Sequence, residues 1–480
     1  MSPLDILIVH LPIDYGSGRA YGLPPLGGLY LATTLRDAGF RARILDASIK
    51  GLSLPEIEGR VKDLAPHLLA FSVLTPHLRS LKTAIDHFNT LGWRGRIICG
   101  GPHFNDTQGE TLDVLDIDFA MHGESELSLA AFVSAFLRNE DMSGIPNLIR
   151  RVDGKVVVNP PGAFMDDLDK LPFPDLSLGE TQDYEMIHGR ESRAMSIMCS
   201  RGCPYLCTFC DVYSVWGRKV RTRSPRNVVD EMRFHHDRFG IREFFFRDSV
   251  FTLNYKWVDA FLDELEQSGL RVTWHCNARV DRVTEPMLKR MKSLGLVCVS
   301  FGIEAGNEEI LKNVKKGINI ATIERMVALT DRLGLQVNGY FMVGNPGETP
   351  DSARQTLDLA LRLPATFIDV GPTVAYPGTE VYRSAVEGGY LDDRKWYLRD
   401  ESMGHALAGV IRAGNPGQLN LPGFPPEEQV AFCRQFVRRF YLRPQTVYRI
   451  FFKHFSWRVM WRALKFLPGF LRVVLGKAGL

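Results

Sequence analysis

The sequence predicts an α/β chain in three parts. A doubly wound parallel sheet comes first, a partial (βα)6 TIM-like barrel second, and a helical region last. Three observations predict this. Short apolar strands alternate with amphipathic helices over the first 140 residues. A second strand–helix series begins near residue 194 and packs six units into about 180 residues. After Glu428 there are eleven Lys or Arg, no Asp or Glu, and many interleaved aromatics.

In the first series, strands are expected at Ile6–His10, Ala42–Asp46, Leu68–Ser72, Arg96–Gly100 and Ile117–Met121. Helical patterns such as Leu26–Ala38 and Leu78–Leu91 lie between them. Alternation of this kind builds a parallel sheet with helices on both faces. Its ligands bind beyond the carboxyl ends of the strands. The segments there are Ser72 to Pro76, Gly100-Gly101-Pro102-His103 and Gly123-Glu124. Asp46 stands where a dinucleotide fold often places its ribose acid. However, no G-x-G-x-x-G opens the first helix, so nicotinamide binding is disfavoured. The first strand ends in His-Leu-Pro without paired carboxylates, which disfavours a phosphoacceptor. A structural domain without ligand is the plain alternative.

Residues 141–190 are rich in proline, and Leu171-Pro-Phe-Pro-Asp175 reads as a linker. The expected parts are therefore 1–140, the linker 141–190, the barrel 191–400 and the helical region 401–480. Barrel strands are expected at Ala194–Cys199, Glu243–Arg247, Val272–Cys276, Val297–Ile303, Val337–Val343 and Phe367–Val370. Helical patterns include Asn254–Gln267, Glu285–Leu294 and Ile320–Leu333. In such barrels the chemistry sits at the strand carboxyl ends.

Bulk numbers exclude some classes. The 480 residues are 45% hydrophobic and 24% charged, as in average globular chains. The net charge of +3 conceals a split, with 47 basic against 55 acidic residues before position 429. The N-terminus lacks a secretory pattern, and no apolar run reaches the ~18 residues of a membrane span. Eight cysteines in so long a chain do not suggest a disulfide scaffold. A reducing, cytoplasmic compartment is expected.

Four cysteines crowd one segment, Met198-Cys199-Ser-Arg-Gly-Cys203-Pro-Tyr-Leu-Cys207-Thr-Phe-Cys210. Thiolates suit zinc or iron–sulfur clusters. Four sulfurs would hold a tetrahedral zinc. Yet structural zinc usually clasps two separated ligand pairs, and here all four share one loop. The second choice uses Cys203, Cys207 and Cys210 in a C-x3-C-x2-C spacing. Three ligands to a four-iron cluster leave one iron open for a reacting molecule.

With that spacing, and with Phe209 in the aromatic slot before the last cysteine, the segment resembles the radical S-adenosylmethionine (SAM) superfamily. The resemblance implies a [4Fe-4S] cluster on Cys203, Cys207 and Cys210 whose open iron chelates SAM. Electron transfer then yields a 5′-deoxyadenosyl radical that abstracts hydrogen from unactivated carbon. Phe209, Asn277, Arg279 and Glu304 are the implied SAM contacts. Arg279 would meet the carboxylate as a fork, and Glu304 the ribose or amino group. The alternative is that Arg279 and Glu304 are salt-bridged locally. Asp248 follows the second barrel strand and is left open. Cys199 is expected to be a buried strand end. Cys99, Cys276, Cys298 and Cys433 are expected in the core.

An α/β domain ahead of such a barrel resembles the cobalamin (B12)-binding subfamily, whose domain is flavodoxin-like. The resemblance rests on Pro24-Pro-Leu-Gly-Gly28, Asp46, Ser72 to Pro76, Gly100 to His103 and Gly123-Glu124. It implies cobalamin contacts at Ser72, Leu74, Thr75, Gly100, Gly101, Gly123 and Glu124. No D-x-H-x-x-G is present, which implies base-off cobalamin without a histidine ligand. Loop 74–76 is then the candidate lower face.

The leading functional expectation is methylation of an unactivated carbon through methylcobalamin and the 5′-deoxyadenosyl radical. Rivals are an oxidative cyclase resembling the anaerobic Mg-protoporphyrin ester cyclases, a tRNA methylthiotransferase and a non-catalytic cluster and cobalamin sensor. The methylthiotransferase is disfavoured because the N-terminal domain offers just Cys99. The full set of strand-end residues disfavours the sensor. A small-molecule or lipid-like substrate and an external flavodoxin- or ferredoxin-type electron donor are implied. The basic, aromatic tail suits packing on the barrel or contact with a membrane surface, at the inner face, and suits nucleic acid less.

Overall fold

A computed structural model describes residues 3–12, 15, 22–180, 184–186, 189–191, 193–398, 416–454, 456–458 and 460–461. Two compact units emerge. One comprises Met1–Met186, Asp211–Arg223 and Tyr397–Glu401, and the other the remainder.

The first unit is built on strands β1 (Ile6–His10), β2 (Ala42–Asp46), β3 (Leu68–Ser72), β4 (Ile97–Gly100), β5 (Phe119–Met121), β6 (Leu148–Val152) and β7 (Lys155–Val158). Their order is β2-β1-β3-β4-β5-β6-β7. The first five are parallel, which gives the flavodoxin-like order. Helices cover both faces, so Ile6, Leu7, Ile8 and Val9 are all buried. The first helix, Leu26–Asp37, comes close to the sheet at Gly28. A Cβ there would meet Ile44 Cδ1 at 2.7 Å.

The sequence reading missed β6 and β7, which lie within the segment taken as a linker. They form an antiparallel hairpin that extends the sheet beside β5. Asp153 and Gly154, with φ of 48° and 75°, make its two-residue turn. Further on, Asp175 is buried against the first helix. Its backbone N–H donates to Thr33 Oγ1 at 3.0 Å and its carboxylate pairs with Arg36.

The second unit holds β8 (Ala194–Ile197), β9 (Glu243–Phe246), β10 (Thr273–Ala278), β11 (Leu296–Glu304), β12 (Gln336–Val343) and β13 (Phe367–Pro372). All neighbours are parallel and consecutive, as in an open half-barrel. Side chains alternate between the two faces, apart from register shifts at Trp274/His275 and Gly302/Glu304. Phe246 and Trp274 point outward, meeting Phe251 and Phe261 in a buried aromatic cluster. The return helices start on side-chain caps, since Ser224, Asn254, Thr284, Asn319 and Thr349 each accept from the backbone N–H three residues on.

The helix Pro426–Tyr441 packs on this unit through Val430, Cys433, Phe436, Val437 and Phe440. Arg443 then caps the helix Pro350–Arg362, donating to the carbonyls of Ala360, Leu361 and Leu363. Lys453 and Arg449 both reach Asp331. Packing on the barrel therefore accounts for this stretch of the tail. The helical reading of 462–480 and of 401–415 lies outside the described residues. No described helix is long and apolar enough to cross a membrane.

Candidate functional site

At the carboxyl end of β8, the chain enters the cysteine loop through two buried residues, Met198 and Cys199. Asp248, itself buried, holds this entry. Its carboxylate accepts from Cys199 N at 3.2 Å and from the Ser200 hydroxyl. Burial pushes its pKa up, against these hydrogen bonds. Asp248 is thus a loop-holding residue, which decides the role the sequence left open.

Past it, Cys203, Cys207 and Cys210 are partly exposed and form no disulfide, whereas the other five cysteines are buried. The loop is pinned twice. Thr208 N–H donates to Val314 O at 3.1 Å, and Val381 N–H donates to Thr208 O at 3.0 Å. Burial pushes the Cys207 thiol pKa up, while Lys316 and Arg279 favour its thiolate.

Around the loop stand the strand-end groups. Arg279, after β10, forks onto Asp281 through Nε and Nη2 at 2.9 and 3.1 Å. Its guanidinium lies 3.8 Å from the centre of the Tyr205 ring, whose hydroxyl accepts from Arg282 Nε at 2.7 Å. Glu304 ends β11 where the register with β12 shifts. Its φ of 68° is left-handed, a strain of roughly 1–2 kcal/mol for a residue with a Cβ. The carboxylate is buried and accepts from Lys316 Nζ at 2.7 Å. That ammonium also sits 6.0 Å from the Phe209 ring centre. Gly302 makes room for the pair, because a Cβ would lie 2.6 Å from both charged atoms. Asn277 is occupied, donating from Nδ2 to Asp248 O at 3.2 Å.

The local salt bridges weighed for Arg279 and Glu304 are thus present. They leave capacity, however. Arg279 Nη1 and Glu304 Oε2 make no hydrogen bond among the described residues. Sequence reasoning missed Tyr205 and Lys316. Tyr205 lay in plain view inside the cysteine spacing, but nothing in the sequence paired Lys316 with Glu304.

In the first unit, the ends of β3, β4 and β5 converge. Val73 N–H donates to Gly100 O at 2.8 Å. Gly101, at φ +107°, permits this approach, since a Cβ would meet Val73 O at 2.6 Å. Leu74, an apolar side chain, is 48% exposed beside it. Ser72 and Gly100 are half-buried at the strand ends. Thr75 and His103 are buried together. The His103 ring nitrogens contact Thr75 Oγ1 and Thr111 Oγ1, each at 3.1 Å, and burial lowers its pKa to about 4. This imidazole is neutral and engaged on both sides. Gly123, at φ +67°, donates its N–H to Asn105 Oδ1 at 2.6 Å. Glu124 is turned inward, where its carboxylate accepts from Arg221 at 2.6 and 3.0 Å. Asp46 caps the next helical turn, accepting from Ile49 N at 3.1 Å.

Comparison with known proteins identifies both units. The radical SAM superfamily profile matches residues 197–360, and the B12 binding domain profile matches residues 15–133. The chain thus carries a B12 binding domain ahead of a radical SAM domain, the pairing that marks the B12-binding branch of that superfamily. A methyltransferase of uncharacterised activity from Pyrococcus horikoshii is 28% identical over 98% of this chain and 99% of its own length. An anaerobic magnesium-protoporphyrin IX monomethyl ester cyclase from Rubrivivax gelatinosus is 27% identical over 74% of this chain and 65% of that one. In fold, the chain resembles the radical SAM methyltransferase TsrM from Kitasatospora setae, with TM-score 0.68 at 19% identity, covering 92% of this chain and 90% of that one.

The cofactor set of this branch is a [4Fe-4S] cluster, SAM and cobalamin. The residues present fit all three. Three accessible thiols in one pinned loop, flanked by Arg279 and Lys316, suit an anionic thiolate cluster. An arginine edge and a carboxylate oxygen without partners suit an amino acid's two ends. Glycine-lined backbone beside Leu74 suits a broad, largely apolar ring face.

Proposed function

We propose that this radical SAM protein methylates an unactivated carbon of a small molecule. The observation that carries the reading is the joint occurrence, in one chain, of the three-thiol loop at the half-barrel mouth and a flavodoxin-like sheet with a glycine-lined ligand edge. When bound, the cluster and SAM supply hydrogen-atom abstraction, and cobalamin supplies the methyl group. Cys203, Cys207 and Cys210 are assigned to the cluster, with Asp248 fixing the angle at which their loop leaves β8. Arg279 Nη1 takes the SAM carboxylate and Glu304 Oε2 a donor of the same molecule, while Phe209 and Asn277 border that space. Ser72, Leu74, Thr75, Gly100, Gly101 and Gly123 form the cobalamin edge. Glu124 supports it from beneath through Arg221. The engagement of His103 supports base-off binding with Leu74 at the lower face.

A cyclase remains the competing reading of the same domains. Coverage favours the methylase, because the methyltransferase relative aligns from end to end whereas the chain spans 65% of the cyclase. Co-products decide between them. Anaerobic turnover with dithionite is expected to give S-adenosylhomocysteine and 5′-deoxyadenosine together, with a product heavier by one methyl. 5′-Deoxyadenosine without S-adenosylhomocysteine would establish the cyclase instead. In the cell, a flavodoxin- or ferredoxin-type protein would supply the electrons.

We further assign the protein to the cytoplasmic side of a membrane. Tyr448, Phe452, Trp457 and Trp461 are all exposed, and Tyr448 stacks on Phe452 with ring centres 6.0 Å apart. Exposed aromatics in a segment without carboxylates suit the interface of an anionic bilayer. The protein is expected to sediment with phosphatidylglycerol vesicles, and Phe452→Ser with Trp457→Ser to lose at least tenfold of that binding. Sedimentation no better than with phosphatidylcholine, or unchanged in the double variant, would refute the contact.

A further inference from the structure

The concave face of the half-barrel is filled at its base, where inward Phe245, His275 and Cys298 are buried, and open towards the carboxyl ends of its strands. Inward-pointing positions alternate with outward ones along every strand, and pairing places Asn277 beside Ser300, Ser300 beside Asn338, and Tyr340 beside both Gly302 and Asp369. In a filled barrel these layers are packed with branched apolar side chains. Here the outward residues Cys276, Val299, Phe301, Phe341 and Val370 are buried under helices, while inward Ser300, Tyr340, Asp369 and Gly371 remain accessible. Nothing lies within 4 Å of a Cβ built on Gly371.

This hollow contains a cation without a counter-ion. Arg247, directly after β9, is solvent-accessible. Its Nε lies 3.4 Å from Ser196 Oγ, and the Tyr340 hydroxyl favours its charged form. Among the described residues, no carboxylate stands within ion-pairing distance of it. Two acids of the same face are held elsewhere, Asp369 by Asn338 Nδ2 at 2.9 Å and Glu243 by His275 Nε2 at 2.8 Å. Desolvation by the surrounding protein lowers the Arg247 pKa and raises those of Asp369 and Tyr340. An arginine in such a space, with free N–H groups, is a fork for an oxyanion.

We propose that Arg247 is a specificity-determining residue that binds an anionic group of the substrate, a carboxylate or a phosphate-type acid. Asp369 and Asn338 then receive a hydroxyl or amine at the far side of the same hollow. The substrate class is a polar acid, and its acid group is held at the β9 end of the sheet. This assignment rests on the methylase reading for its chemistry but on the half-barrel alone for its geometry.

The test uses the full-length, anaerobically reconstituted protein. Methylphosphonate is titrated and its binding read from the 31P linewidth. Arg247→Met is expected to bind at least tenfold more weakly than wild type, and Arg247→Lys, which keeps the charge without the fork, to fall between them, both with cluster absorbance retained. A second arm adds ion-exchange fractions of a cell extract, and separately its acidic-lipid phase, and measures 5′-deoxyadenosine. Stimulation by the aqueous anionic fraction identifies a free acid, and stimulation by the lipid phase an acidic headgroup. Equal methylphosphonate binding by Arg247→Met, or stimulation confined to neutral or cationic fractions, overturns the proposal. If no fraction yields 5′-deoxyadenosine, the methylase reading falls instead, and the methylphosphonate titration still judges Arg247.

Discussion

Alanine at Cys203, Cys207 or Cys210 is expected to remove the four-iron cluster and to take SAM cleavage below detection, while alanine at Cys199 leaves both in place. The contrast follows from where the four thiols sit. Cys199 is buried at the end of β8 and its backbone is tied to Asp248, so its sulfur belongs to the core. The other three stand in the accessible loop. A tetrahedral zinc would need all four sulfurs, and every single substitution would then cost metal. A cluster on three thiols predicts two classes of variant, with about four irons per chain retained in one and lost in the other. Iron and sulfide counts on anaerobically purified protein, with a circular dichroism check on folding, read the difference. Loss of iron in Cys199→Ala equal to that in Cys207→Ala would restore the four-sulfur site.

Much of this arrangement was legible because hydrophobic alternation is a local signal. Every anticipated strand is present within about two residues, and the flavodoxin-like order follows from parallel βαβ connections. The hairpin β6–β7 escaped because Leu148-Ile-Arg-Arg-Val152 does not alternate and stands among prolines. The cysteine spacing is a local signal as well, since coordination fixes ligand type and interval together. What charged residues do at strand ends was hidden. Glu124 looked like a ligand contact, yet Arg221, 97 positions away, claims it. Asn277 looked available, yet it secures the Asp248 carbonyl. Arg247 looked like an ordinary strand end, and that no carboxylate among the described residues pairs with it is visible in three dimensions alone. Pairings across tens of residues leave no periodicity for a sequence reading to find.

The Lys316–Glu304 pair is where one such pairing should have the largest energetic effect. Lys316→Met leaves the Glu304 carboxylate buried, at the strained end of β11, with its one cation gone. Removing one partner of a buried ion pair costs about 3–5 kcal/mol, so the half-barrel's unfolding midpoint should fall clearly. The loss should also depend on pH in a stated direction. An unpaired buried carboxyl takes up a proton more readily in the folded chain than in the unfolded one, which raises its folded pKa. Its contribution is then most favourable below the unfolded value, near 4, and is lost as pH rises through the raised one. The deficit of Lys316→Met relative to wild type should therefore be smaller at pH 5 than at pH 8. Glu304→Gln combined with Lys316→Met removes both charges, and should recover most of the stability while SAM affinity stays at least tenfold down. That split separates holding the fold from holding the ligand. If the single and double variants were equally unstable, or if the double variant bound SAM as wild type does, Lys316 would be a packing residue and Glu304 no part of the SAM site.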